Sequence, residues 1–446
     1  MALEAASRQA GRYPDGVWLV ELAPLADGAL VAQHVAATLG LTEQPGTSFE
    51  QAITAAIGAR SVLLLLDNCE HLVDACASLA GTLVQLCPNV RLLATSREPL
   101  AIRGENVWRV ASLSYPDAAV ESSELLLSYE APRLFLERAR AVSPHLEMTP
   151  RSAPAVAQIC QQLDGLPLAI ELAAALVSFL SLDQITERLD RRFELLTGGT
   201  RTAPQRHRTL RELIDWSYEL LPEPEQALFR RLSVFAGGWT LAAAEAVCAG
   251  GVVPAERVLE LLGLLVKKSL VLAEERPPRE MRYRLLETLR QYASEKLSST
   301  EREAVGGAHA AYFVDLAKQA RSASLGPEVA SWLDRLEPEH DNFRAALQFL
   351  AEAPRSAPFE SAGVRLAVAL YPFWYLRNYW SEGRRWLEQF AGSADEPQTP
   401  VEAMAFAHLA SLCFWMGDPD VAQTPLASEA WRPLPSCATT RSWPGH

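Results

Sequence analysis

The residues best suited to chemistry sit at the ends of two apolar runs. The stretch SVLLLLDNCEHL, residues 61–72, carries four leucines straight into Asp67. A continuous apolar run this short is the mark of a β-strand buried on both faces. A carboxylate at the C-terminal tip of such a strand stands where an open α/β sheet receives its ligand. There it suits a magnesium ion, held often through water against the phosphates of a nucleotide. The plainer assignment for Asp67 is the N-cap of a helix starting near Glu70, and these residues alone leave both open. Glu70 also has two assignments, a general base for water or an acidic residue favoured in the first turn of a helix, and the second is preferred. After an intervening helix, LLATSRE places Thr95, Ser96 and Arg97 at the tip of the adjacent strand. A hydroxyl and a guanidinium there can sense a γ-phosphate, because the fork of Arg matches phosphate oxygens. A solvated strand end has the same composition. In GLPLAIELAAAL, residues 165–176, Gly165, Leu166, Pro167 and Leu168 open a strongly apolar helix. Proline is well tolerated in a first turn. So rigid an entry can press on a flat adenine ring, although a plain helix start reads alike.

The elements that must position these residues follow from periodicity. A helix is already under way at residue 1 and ends at Gly11 and the turn Pro14–Gly16. Strands are expected at 17–23, 61–67, 90–96 and 106–113, and helices at 30–41, 49–59 and from about 70 to Pro88. Strands alternating with helices predict an α/β domain with a parallel sheet. Beyond Tyr115 the strands largely stop. Residues 121–197 read as helices. After a linker at 197–207, three helices and a hairpin around RPPRE make the pattern of a winged helix. Residues 301–425 pair short amphipathic helices as an α-solenoid does, and the Pro-rich end is expected to be disordered.

Composition narrows the function classes. The net charge of −13 argues against a broad nucleic-acid-binding surface. In the winged-helix region Arg201, Arg206, Arg208 and Arg211 form a modest basic stretch. Glu212, Asp215, Glu219, Glu223 and Glu225 follow at once, so direct DNA binding is not expected. The seven cysteines lack Cys-x-x-Cys spacing, which points to reduced buried thiols rather than zinc or disulfides. No run of 18 apolar residues occurs and the N-terminus has no leader pattern, so no membrane contact is expected and the predicted location is cytoplasmic.

In this order and spacing, LLLLDNCEHL, LLATSREPL and GLPLAIELAAAL resemble the Walker B strand, sensor 1 and helical-lid motif of the STAND class of signal-transduction ATPases. The likeness is to the NB-ARC/AP-ATPase branch found in large bacterial transcriptional regulators of the LuxR and SARP types. RTLRELIDWSYELL, LFRRLSVFAGG and YRLLETLRQYA are similar to the winged helix that follows there, and EHDNFRAALQFL to the start of a TPR-like helical-repeat arm. The resemblance covers residues 1 to about 425. It implies an incomplete P-loop NTPase α/β domain at 1–117, a helical lid at 118–197, a winged helix at 198–300, an arm at 301–425 and a tail at 426–446. It also implies ATP or ADP with magnesium at Asp67, nucleotide contacts from Thr95, Ser96, Arg97 and Gly165 to Leu168, and a protein partner or signal ligand on the arm. In that class, exchange of ADP for ATP releases the lid and winged helix from a closed state.

The chain departs from the pattern in three places. Asn68 stands where a second acidic residue often follows the first. The final segment does not continue the repeat pattern. The G-x-x-x-x-G-K-[ST] loop belongs immediately before the opening helix, and none of the first 266 residues is a lysine. That loop cradles the phosphates, so the expectation is weak nucleotide binding and no ATP turnover by this chain alone. Its strand is central in the sheet of that class. Without it, the strands ending at Asp67 and Ser96 must either pair directly or leave the sheet poorly formed. The alternative from another class is a non-enzymatic scaffold that binds a protein through the winged helix and arm.

Overall fold

The computed structural model describes residues 1–116, 122–196, 205–276, 280–323, 329–353, 361–391 and 399–417. They form two compact units, Met1–Val107 with His309–His446, and Trp108–Ala308. The fold is mixed α/β and mostly helical, with a small parallel sheet and a winged helix.

In the first unit, β1 (Val17–Glu21), β2 (Leu63–Asp67) and β3 (Arg91–Ala94) form a parallel sheet in that order. The four leucines of β2 are buried, alternating between two cores as the pleat requires. Leu64 and Leu66 face a core with Val20, Val35, Ile53, Leu79 and Leu83. Leu63 and Leu65 face the other side with Ala6 of the Ala2–Arg8 helix and the half-buried Leu19 and Leu93. The strands ending at Asp67 and near Ser96 pair directly, in register Leu63↔Arg91 to Leu66↔Ala94. Of the two outcomes anticipated for them, direct pairing is the one observed.

The strand expected at 106–113 is absent. Trp108 is 86% exposed, Val107 and Val110 also face outward, and no ladder joins them to β3. The run is rich in the strand-favouring residues Val and Trp, but such a run makes a strand only where a neighbouring backbone has free groups to pair with. Leu113 instead gives its N–H to the Gly165 carbonyl at 2.9 Å.

The second unit contains the helices Glu130–Val142, Ala153–Gln162 and Pro167–Ala175, followed by the winged helix. Its helices Glu223–Arg231, Leu241–Cys248 and Val258–Lys267 pack with a sheet of order β4-β6-β5. Here β4 is Trp239–Thr240, β5 Leu272–Arg276 and β6 Glu280–Arg284. The hairpin of β5 and β6 is the expected one. The two-residue β4 is too short to leave a periodic trace. Of the four arginines noted above, Arg211 pairs with Glu295 at 2.5 Å. Asp215 accepts bonds from Tyr292 and Lys296, and Glu225 pairs with Lys268.

The arm belongs to the first unit and includes Val329–Leu336, His340–Glu352, Ala362–Leu376, Trp380–Ala391 and Pro400–Trp415. Its EHDNFR segment supplies a buried polar hub. The Glu382 carboxylate accepts a two-pronged bond from Arg344 at 2.9 and 2.7 Å and a third bond from His340 at 3.1 Å. Arg344 also reaches Asp341, and Asn342 donates to Glu339. Burial alone would raise the pKa of Glu382, but the charges of Arg344 and His340 outweigh it and hold that carboxyl well below its ordinary range. Loops of the α/β part bond to the arm: Glu43 caps the start of Trp380–Ala391 through the N–H and hydroxyl of Ser381, and Arg385 pairs with Asp27. Cys69, Cys76, Cys87, Cys160, Cys248 and Cys413 are buried free thiols, while Cys437 and the expected disordered tail lie outside the described residues.

Candidate functional site

The direct pairing of β2 with β3 brings two strand tips together. The Thr95 hydroxyl donates to Asp67 Oδ1 at 2.6 Å and accepts from the Asn68 N–H at 2.9 Å. The Thr95 N–H goes to the Leu66 carbonyl, and the Cys69 N–H goes to the Thr95 carbonyl. Asp67 is thus held by a residue 28 positions away. It does not cap a helix: the chain first makes a short turn at Cys69–His71, and the α-helix begins only at Val73. Asn68 makes the bend possible. Its φ is 66°, in the left-handed region that asparagine tolerates better than most residues. From the other side, the Asp67 carbonyl accepts the Leu22 N–H, and His71 bonds the Leu25 carbonyl at 2.7 Å. Asn68 and His71 were not among the site residues read from sequence. Only the strand-tip geometry gives them a part.

Glu70 and Arg97 meet. Arg97 Nε lies 3.1 Å from Glu70 Oε1, with the arginine side chain 46% exposed and the glutamate 17%. Ser96 accepts the Glu98 N–H at 3.3 Å, so its hydroxyl braces the turn after the strand. The loop beyond is fixed by Glu105, whose carboxylate takes the N–H groups of Leu100 and Ala101. Five of the named residues, Asp67, Glu70, Thr95, Ser96 and Arg97, therefore come from two neighbouring strand tips. They offer one braced carboxylate, one hydroxyl and one ion pair that a stronger anion can compete for.

The third motif belongs to the other unit and has its own local logic. Gly165 has φ 64°, and a Cβ there would stand 2.2 Å from the Leu113 carbonyl oxygen. Only glycine fits this close backbone approach. Leu166 precedes the helix, Pro167 is its first residue, and Leu168 follows within the first turn. The glycine and proline are thus explained by backbone packing and helix entry.

The tip chemistry fits magnesium in one particular way. Mg²⁺ keeps several waters and takes one or two carboxylates plus phosphate oxygens. Asp67 commits Oδ1 to Thr95 and offers Oδ2. Among the described residues no group of three or more His, Cys, Asp or Glu is placed to hold a metal by itself. A magnesium ion at this tip would have Asp67 Oδ2 as its protein donor.

A family model described as a winged helix-turn-helix domain matches residues 221–298. The chain is 42% identical over 442 residues to the "Putative HTH-type transcriptional regulator Rv0890c" of Mycobacterium tuberculosis, covering 97% of this chain and 47% of that protein. It is 40% identical over 307 residues to the "Uncharacterized protein Rv0894" of the same species, covering 68% of this chain and 75% of that protein. It therefore spans about half the length of the first of these relatives. Among solved structures, a STAND protein with a tetratricopeptide repeat sensor from Pyrococcus horikoshii aligns over 92% of this chain and 68% of its own, at 14% identity and a TM-score of 0.42.

Proposed function

This chain belongs to the same family as the mycobacterial protein Rv0894 and contains a winged helix, and on that premise we propose that it is a nucleotide-responsive regulatory module of the STAND type within a transcriptional regulator. The observation that carries this reading is the braced carboxylate at the tip of β2, with the Glu70–Arg97 pair beside it. Asp67 serves as magnesium ligand, with Thr95 fixing its orientation. Arg97 exchanges Glu70 for a γ-phosphate, which makes the site distinguish ATP from ADP. Ser96 shapes the turn that presents Arg97. Gly165, Leu166, Pro167 and Leu168 form the entry that meets the base. Magnesium supplies charge neutralisation between the phosphates when bound. The phosphates themselves call for the backbone N–H groups and lysine of a G-x-x-x-x-G-K-[ST] loop.

The winged helix works within the module rather than on DNA. In helix-turn-helix proteins the second helix of the motif enters the major groove. Here the exposed positions of Val258–Lys267 include Leu259, Glu260, Gly263 and Lys267, and Arg257 is already paired with Glu260. That face has no basic excess to release counterions from phosphates.

The test is a fusion. A strand and a G-x-G-G-x-G-K-T loop are joined ahead of Met1, and ATP and ADP are titrated calorimetrically with and without magnesium. Magnesium-dependent binding is expected, with Asp67→Ala reducing the magnesium dependence and Arg97→Ala reducing the preference for ATP. Pro167→Ala is expected to weaken both nucleotides alike. A folded fusion that binds neither nucleotide overturns the reading and leaves the protein-binding scaffold in its place.

A further inference from the structure

Within the first unit, a cavity of about 290 Å³ is walled by the α/β part on one side and the arm on the other. The α/β wall holds Gln33 of the helix Val31–Thr38, Leu41 beyond it, and Phe49 at the start of Phe49–Ile57. The arm wall holds Glu337, just ahead of His340–Glu352, and Arg377 in the turn before Trp380–Ala391. Two polar groups on these walls are unspent. Gln33 is only 4% exposed, yet its amide nitrogen has no hydrogen-bond partner among the described residues. A buried amide is ordinarily bonded, so one left open calls for an occupant. Glu337 spends Oε1 on the Tyr379 hydroxyl. Its Oε2 lies 3.2 Å from Arg377 Nε, but both atoms are buried and neither makes a hydrogen bond in that geometry. Leu41 and Phe49, half-buried against the core, add apolar surface.

We propose that this cavity binds a small uncharged planar heterocycle whose edge carries an N–H beside a carbonyl, as the pyrimidine bases do. The Gln33 amide presents a donor and an acceptor side by side, so it pairs with such an edge through two parallel bonds, as glutamine does with the edge of adenine. Glu337 Oε2 takes a further N–H, and Leu41 and Phe49 offer apolar surface to the flat faces. Other ligand classes fit less well. Arg377, the cation on these walls, already lies against the two carboxylates of Asp334 and Glu337, which leaves an anion no free positive charge. An ammonium has donors alone and meets the Gln33 N–H with another donor. A purely apolar molecule leaves both open groups buried without partners. The inference goes beyond the nucleotide reading and makes no use of Asp67 or Arg97. Its failure leaves that reading standing, and failure of the fusion experiment leaves the cavity.

The probes are uracil, 1,3-dimethyluracil and glucose, each titrated calorimetrically into the full chain. Uracil carries no phosphate, so the strand tips do not account for its binding. It is expected to bind ten-fold or more tightly than either of the others, since 1,3-dimethyluracil keeps the ring and carbonyls but has lost both N–H groups, and glucose has hydroxyls without a flat edge. Gln33→Leu is expected to weaken uracil at least five-fold while the urea midpoint stays level or rises, because the change removes an unbonded buried amide. Glu337→Gln, on the opposite wall, is expected to weaken uracil at least three-fold, which keeps the test decisive if Gln33→Leu fails to fold. The proposal is overturned if uracil does not bind, which would leave the open groups to water alone. It is also overturned if 1,3-dimethyluracil or glucose binds as well as uracil, or if the folded variants bind uracil as the wild type does.

Discussion

Two polar clusters of this protein are built from similar residues and do opposite things. At the strand tips, Asp67 and Glu70 meet one hydroxyl and one half-exposed arginine, and Asp67 keeps an oxygen open. In the arm, Glu382 is fully buried and its two oxygens share three bonds from Arg344 and His340. A saturated buried charge holds helices in one arrangement. A partly open one costs little to rearrange and is available to a ligand. The amount of unused bonding capacity, more than the residue types, separates a binding site from a brace.

The comparison is most easily broken at the brace. Glu382→Ala strands Arg344 in the interior and is expected to cost about 3–5 kcal/mol in denaturant unfolding. A loss near zero would mean that water reaches the hub. Acid should act next. Burial pushes His309 down to about 4, against the hydrogen bond with Asn342, and burial and then Arg321 push His408 down to about 4. Both imidazoles take up protons more readily in the unfolded chain. Their contribution is therefore intact above the ordinary histidine pKa of about 6.5 and is lost as pH falls from there towards 4. The urea midpoint should drop over that window, and His309→Gln should flatten part of the drop. An unchanged midpoint between pH 7 and 4.5 would count against buried neutral histidines.

The strand tips should respond weakly in stability and strongly in binding. Thr95→Val removes the hydroxyl that bridges Asp67 and the Asn68 N–H, at a cost of about 1–2 kcal/mol. In the loop-fused protein it should abolish most of the magnesium dependence. Equal magnesium dependence in wild type and variant would show that Asp67 needs no brace. The smallest effect is expected from Arg97→Ala, since an ion pair this exposed is worth under about 1 kcal/mol. A melting temperature indistinguishable from wild type, with ATP preference reduced in the fused protein, would sharpen the contrast. A large loss of stability would place Arg97 among the braces.

The sequence alone determined those features that depend on local pattern. Four consecutive leucines have to be covered on both faces, which made β2 legible, and Pro167 marked the start of a helix that the structure also begins there. The hairpin of β5 and β6 was legible for the same reason. The equally apolar 106–113 was not, because a strand needs a partner with free backbone groups and no local pattern reports one. The two-residue β4 was too short for any periodicity. Tertiary structure alone decided how the motifs are used. It set Thr95 on Asp67 across 28 residues and turned EHDNFR into a buried hub by bringing Glu382 to Arg344 across 38. Periodicity says which face of an element is apolar. Which two faces meet is settled by packing between distant parts of the chain, and the bonding capacity left over from that packing is what a ligand can use.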